Sequence, residues 1–251
     1  MSNQGRARTR EVLAARQAQQ TMQRRNAMFA RAVGIAVVLG LVAVIGVSVA
    51  KSINHKRFHA NSAIIVPAGA TADGMIPFGK RSAKTTVTIY FDYICSACGM
   101  FEKADSADLT RLLDSGTIKV QLRPLQFLDR LSQGTGYSTR AANALAAVQN
   151  DDPAKVWAFH GTLYAHQPAE GTTGLTDAQI AQYAQEVGVP AAVTTKFVNG
   201  TYSGWVQANT AAALKSAISH TPTILINGKV WNGNPFQPGA LTQAIQAANR
   251  Q

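Results

Sequence analysis

Thr86-Val87-Thr88-Ile89-Tyr90-Phe91-Asp92-Tyr93-Ile94-Cys95-Ser96-Ala97-Cys98 is the stretch on which the reading turns. Its first six residues are β-branched or aromatic, the composition of a strand buried on both faces. Asp92-Tyr93-Ile94 then leads into a helical pattern from about Ser96 to Leu113, closed by Asp114-Ser115-Gly116. A second strand, Ile118-Lys119-Val120-Gln121-Leu122, ends before Pro124. Strand, helix and strand within roughly 35 residues predict a βαβ unit with a right-handed crossover.

Downstream, residues 137–219 carry only helical signals. Ser138 begins an Ala-rich run, and Asp152-Pro153 reads as an N-cap followed by proline at the first helical position. Thr176-Asp177-Ala178-Gln179 has the spacing of a capping box, with Gly188 closing that helix. Two more helices are expected over 191–198 and 204–218. Strands return at Thr223-Ile224-Leu225-Ile226 and Lys229-Val230-Trp231, flanking Asn227-Gly228, whose tolerance of positive φ makes it a strong hairpin signal. A last helix is expected over 239–248. The pattern predicts one α/β domain, over 86–249, interrupted by a helical insertion at about 137–219.

Upstream, residues 51–85 read as a tether and N-terminal edge. Ala63-Ile64-Ile65-Val66 is its candidate edge strand. Before it, nineteen consecutive uncharged residues run from Ala32 to Ala50. As a helix they reach roughly 28 Å, about one hydrocarbon core. A cleaved signal peptide is the alternative, and Ser48-Val49-Ala50 offers small residues at a cleavage position. The run, however, exceeds the usual h-region of roughly 7–15 residues and starts about 30 residues into the chain. A transmembrane helix over 32–50 is therefore expected. Seven arginines precede it and Lys51, Lys56 and Arg57 follow. This asymmetry keeps the 1–31 segment in the cytoplasm and sends the rest outside. It also accounts for the charge. The chain carries +11, and residues 1–60 hold +9 of it, ten basic side chains against Glu11. The basic segment faces the lipid bilayer. It has no motif or aromatic interleaving for nucleic acid, which is not expected as a partner. With 46% hydrophobic and 15% charged residues, extensive disorder is excluded.

Cys95 and Cys98 are the chain's two cysteines, which excludes a disulfide-rich scaffold. At a helix start, positions i and i+3 share a face, close enough for a disulfide. The unpaired N–H groups and dipole at that end stabilise a thiolate on Cys95, while Cys98 lies a turn deeper. A purely structural role is weak, since closing so small a ring contributes only about 2 kcal/mol. A zinc site lacks ligands, because five scattered histidines supply no second pair. Two buried free thiols fit poorly with an oxidising exterior. The residues point to a redox pair, with no metal and no cofactor. Asp92, near the cysteines, reads at least as well as a turn residue as a tuner of them, and His220, beside Pro222, reads as an ordinary residue close enough to touch the site. His160 reads as a packed histidine.

FDYICSACGMF (91–101), KVWAFHGTLYAHQ (155–167) and TPTILINGK (221–229) together resemble the thioredoxin fold, and more closely the DsbA-like thiol–disulfide oxidoreductases with their helical insertion. The resemblance covers about residues 62–249. It implies that Pro222 is cis and faces the disulfide, and that Thr221 offers backbone hydrogen bonds to a substrate strand. It further implies exported thiol-containing protein substrates and a quinone-linked membrane reoxidant. Where such oxidases commonly have Pro-His between the cysteines, this chain has Ser96-Ala97, so the thiolate lacks a neighbouring cation. The expected function is a membrane-anchored, extracytoplasmic enzyme that forms disulfides. A reductase or isomerase, or a non-catalytic tethered domain, is the alternative.

Overall fold

The central strand of the sheet is β2 (Thr85–Phe91), flanked on one side by β3 (Ile118–Pro124) in parallel and on the other by β4 (Thr223–Ile226) in antiparallel. The computed structural model describes residues 63–250. Within them the sheet is completed by β1 (Ile76–Gly79), antiparallel to β3, and β5 (Lys229–Val230), antiparallel to β4, in the order β1-β3-β2-β4-β5. The segments 1–31 and 32–50 lie outside the described residues, so the expected membrane span does too. Among the described residues no helix is long and apolar enough to cross a membrane.

Alternation along β2 divides its side chains between the two faces. Val87, Ile89 and Phe91 join Phe101, Leu109 and Leu113 of helix α1 (Ser96–Ser115) in the main core. Tyr90 joins a smaller cluster with Leu125, Ala213 and Ile218. Helix α1 ends as the Gly116 signal implied. Gly116 is left-handed at φ 75°, and bonds from Gly116 N–H to Leu113 and from Thr117 N–H to Leu112 close the last turn.

The helical insertion between β3 and β4 comprises α2 (Tyr137–Asp151), α3 (Val156–Ala165), α4 (Asp177–Glu186), α5 (Ala191–Thr194) and α6 (Ser203–Lys215). Short 3₁₀ turns occur at Asp129–Ser132, Pro153–Lys155 and Phe197–Asn199. Pro153 opens a 3₁₀ turn, and Asp152 makes no side-chain cap there. The capping box of α4 is formed as expected, Thr176 and Gln179 each bonding the other's backbone N–H. Helix α7 (Ala240–Asn249) follows the hairpin, whose Asn227 and Gly228 both have positive φ.

Three expectations are corrected. Residues 63–66 form no strand, and Ile64, Ile65 and Val66 are 65, 45 and 48% exposed. The edge beside β3 is instead taken by β1, whose fully buried Ile76 pairs with Leu122 after a tight turn held by Thr71 and Met75. Burial of one side chain in the core outweighs β-propensity with nothing to pack against. The expected helix 191–198 stops at Thr194, where β-branched Val193, Thr194 and Thr195 favour helix weakly. The expected helix 204–218 ends at Lys215, because Ala217 turns left-handed at φ 61° and Ile218 N–H bonds back to Ala213.

Candidate active site

The turn from β2 into α1 is built around Asp92. Its backbone carbonyl accepts from Cys95 N–H at 3.1 Å and from the Tyr164 hydroxyl at 3.1 Å. Its carboxylate is fully buried. Oδ1 accepts from Ile94 N–H at 3.1 Å and from the Ser138 hydroxyl at 2.5 Å, and Oδ2 from Leu128 N–H at 2.9 Å. One side chain therefore joins three segments: the cysteine turn, the exit of β3 and the start of α2. Burial pushes the Asp92 carboxyl up to about 7, and these three hydrogen bonds oppose the shift. Asp92 organises the turn, and its backbone also bears on the Cys98 thiol.

Cys95 is the N-cap of α1, with extended backbone at φ −67° and ψ 112°, and its carbonyl accepts from Gly99 N–H at 3.2 Å. Cys98 sits one turn on. Both are free thiols, 4 and 1% exposed. The Cys95 thiol is lowered from 9.0 to about 6. The largest cause is the Cys98 thiol, which donates to it; burial acts against it; the Thr221 side chain and the N–H groups of Cys98 and Ala97 add to the lowering. Cys98 moves the opposite way, far above its ordinary value, through burial and then the Cys95 sulfur beside it. The pair is thus split into a sulfur that ionises readily and one that holds its proton.

The third element comes from the far end of the insertion. The left-handed turn at Ala217 hands the chain to Ser219 and His220, and the Thr223 hydroxyl bonds the His220 carbonyl at 2.7 Å. The Thr221–Pro222 peptide bond is cis. The Cys95 thiol donates to the Thr221 carbonyl at 3.4 Å, a contact that favours the protonated sulfur while the Thr221 side chain favours the thiolate. Beside them opens a groove of about 570 Å³, bordered by Cys95, Phe127, Leu128, Leu214, His220 and Thr221. His220 is exposed on its rim.

The fourth element has no role in the sequence reading, although Gln167 ends one of the segments that carry the resemblance. After α3 the chain crosses the cysteine turn. Gln167 Nε2 donates to the carbonyls of Tyr93 at 3.1 Å and Cys95 at 2.8 Å. Glu170 Oε1 accepts from Ser96 N–H at 2.7 Å and from the Ser96 hydroxyl at 2.8 Å. A Cβ on Gly99 would meet Gln167 Oε1 at 2.1 Å, so the residue after Cys98 leaves room for this crossing. Nothing in the spacing of Gln167 or Glu170 marks them in advance. His160 is packed, as expected, with Nε2 3.0 Å from Glu102 and Nδ1 3.1 Å from the Tyr93 hydroxyl.

Known proteins are similar to this chain. The family model described as thioredoxin matches residues 71–247. The serine/threonine-protein kinase PknE of Mycobacterium tuberculosis is 30% identical over 164 residues, 62% of this chain; the chain spans only 28% of that protein's length. The disulfide bond formation protein D of Bacillus subtilis is 28% identical over 180 residues, covering 70% of this chain and 78% of that protein. Among solved structures, the thiol–disulfide oxidoreductase MdbA of Actinomyces oris superposes with a TM-score of 0.64 at 25% identity, covering 75% of this chain and 94% of that one. With a cysteine pair at the start of α1 and a family model that matches residues 71–247, most of the chain, this protein belongs to the thioredoxin family.

Proposed function

We propose that this chain is a membrane-anchored, extracytoplasmic thiol–disulfide oxidoreductase that forms disulfides in exported proteins, with Cys95 and Cys98 as its catalytic pair. The observation that carries the reading is geometric: two free cysteines one turn apart at the start of α1, with Cys95 Sγ 3.4 Å from the Thr221 carbonyl, and the opposite shifts of the two thiols agree with it. The likeness to the disulfide bond formation protein D and to MdbA supports the same chemistry.

The cycle starts with the Cys95–Cys98 disulfide. A substrate thiolate attacks Cys95 Sγ; the disulfide breaks, a mixed disulfide forms, and Cys98 leaves as a thiolate and takes a proton. A second substrate thiolate attacks the substrate sulfur of the mixed disulfide and expels Cys95 as a thiolate. Two electrons pass from substrate to enzyme, and the substrate's two thiol protons are released or taken up by Cys98. Thr221 and Pro222 form the substrate-binding wall, and a membrane reoxidant of the quinone-linked kind restores the disulfide. The uncharged run at 32–50 and its flanking arginines support the anchor and the outside location.

The test is direct. The oxidised protein should convert a reduced two-cysteine peptide to its disulfide with loss of one enzyme disulfide per turnover, and Cys95→Ser should abolish it. Rapid insulin reduction by a protein found reduced in cells would instead establish the reductase or isomerase. Absence of either exchange would leave a binding domain. A reporter fused after Gln251 should be active only in an extracytoplasmic compartment; activity in the cytoplasm would overturn the anchor's orientation.

A further inference from the structure

Helix α1 has no acidic residue in its first turn, and its N-cap, Cys95, makes no side-chain cap. The cap comes from 74 residues away. Glu170 Oε1 receives both the N–H and the hydroxyl of Ser96, the first helical residue. The loop bearing Glu170 is tied down on both sides. Gln167 bonds the Tyr93 and Cys95 carbonyls, and Gly171 N–H bonds the Leu131 carbonyl at 2.8 Å while its own carbonyl accepts from Gln133 Nε2 at 2.6 Å. The backbone on either side of Glu170 is therefore fixed, and its exposed carboxylate reaches the helix start through its two bonds to Ser96.

That helix start also contributes, after the Cys98 thiol, to supporting negative charge on Cys95. Two anions then sit at one helix start. Glu170 takes the Ser96 N–H and hydroxyl, while the N–H groups of Ala97 and Cys98 serve the Cys95 sulfur. The disulfide form carries no charge at Cys95 and tolerates the carboxylate; the reduced form carries a thiolate and is opposed by it. We propose that Glu170 is a positioning residue that sets the driving force of the pair: held on Ser96, it opposes the Cys95 thiolate and makes the Cys95–Cys98 disulfide harder to reduce.

This inference rests on the redox reading of the pair, and the experiment separates the two. In the full-length protein, Cys95 ionisation is read from thiolate absorbance against pH, and the disulfide equilibrium is read against reduced and oxidised glutathione. Glu170→Gln should raise the Cys95 acidity constant about fivefold and move the glutathione equilibrium toward the reduced protein in the same proportion, the size of a single helix-terminus charge effect. Glu170→Lys should move both further, and Glu170→Asp should stay near the wild type. A merely structural cap would give Gln and Lys variants of lower denaturation midpoint without this graded order. Unchanged values in both variants, or shifts in the opposite sense, would overturn the proposal. A wild type that fails to exchange with glutathione at all would overturn the redox reading instead.

Discussion

The Sγ of Cys95 lies 3.4 Å from the carbonyl oxygen of Thr221, a residue 126 positions later in the chain. The thiol donates to that oxygen only while it holds its proton. Ionisation of Cys95 removes that donor and leaves the Thr221 carbonyl free of it. If the proposed function holds, release of Cys95 as a thiolate and acceptance of a substrate strand by Thr221 would be coupled through that one proton.

The largest support for the Cys95 thiolate is the Cys98 thiol rather than the helix terminus. Cys98→Ala should therefore raise the Cys95 value from about 6 by one unit or more, and Cys98→Ser, which keeps a donor, should recover part of that. The folded value lies below the ordinary 9.0, so this ionisation stabilises the reduced protein fully above about 9 and the contribution is lost as pH falls through 6. Urea unfolding of reduced and oxidised protein at several pH values should show the reduced form losing ground between pH 9 and 6. A constant difference would contradict the depressed value.

Attack and resolution should be separable. In the reduced protein, alkylation near neutral pH should label Cys95 much faster than Cys98. Cys98→Ser should accumulate mixed disulfides with substrate proteins on non-reducing gels, and Cys95→Ser should not. Equal labelling with no trapped species in either variant would remove the assigned roles.

The potential of the pair should fall between that of DsbA, near −120 mV, and that of thioredoxin, about −270 mV. The helix N–H groups and the Cys98 thiol favour the reduced form, but Ser96 and Ala97 add no cation. Ser96→Pro with Ala97→His should raise the potential, about 30 mV for each 1.4 kcal/mol of added thiolate stabilisation. A wild-type potential at or below that of thioredoxin would favour the reductase.

Asp92 should matter to stability in both redox forms. Asn in its place presents a donor to one of the two N–H groups or the hydroxyl that the carboxylate now receives. Asp92→Asn should therefore cost about 1–3 kcal/mol by chemical denaturation. The folded carboxyl titrates near 7, above its ordinary 3.8, so its proton-linked contribution is full below about 4 and is lost as pH rises through 7. In the oxidised protein, where Cys95 does not titrate, Asp92→Asn should flatten the decline in stability across that window. An unchanged slope would show that the carboxylate is charged in the fold.

The sequence by itself determined what short-range chemistry encodes. The β-branched run at 86–91, the cysteines three apart at a helix start, the Thr176 capping box and the Asn227-Gly228 turn each depend on residues within one turn or one strand of each other, and each was legible before the structure. The tertiary structure decided the rest. It seated Ile76–Gly79 rather than 63–66 at the sheet edge, because burial against β3 depends on the whole core and not on local propensity. It brought Thr221 to Cys95, with the thioredoxin resemblance alone pointing there from sequence. It gave Asp92 its two remote partners, Leu128 and Ser138, and laid Gln167 and Glu170 across the cysteine turn. These contacts span 36 to 126 positions in the chain. Periodicity and turn rules act over a few residues, whereas a hydrogen bond at that separation exists only because packing of the insertion against the sheet holds both partners in place.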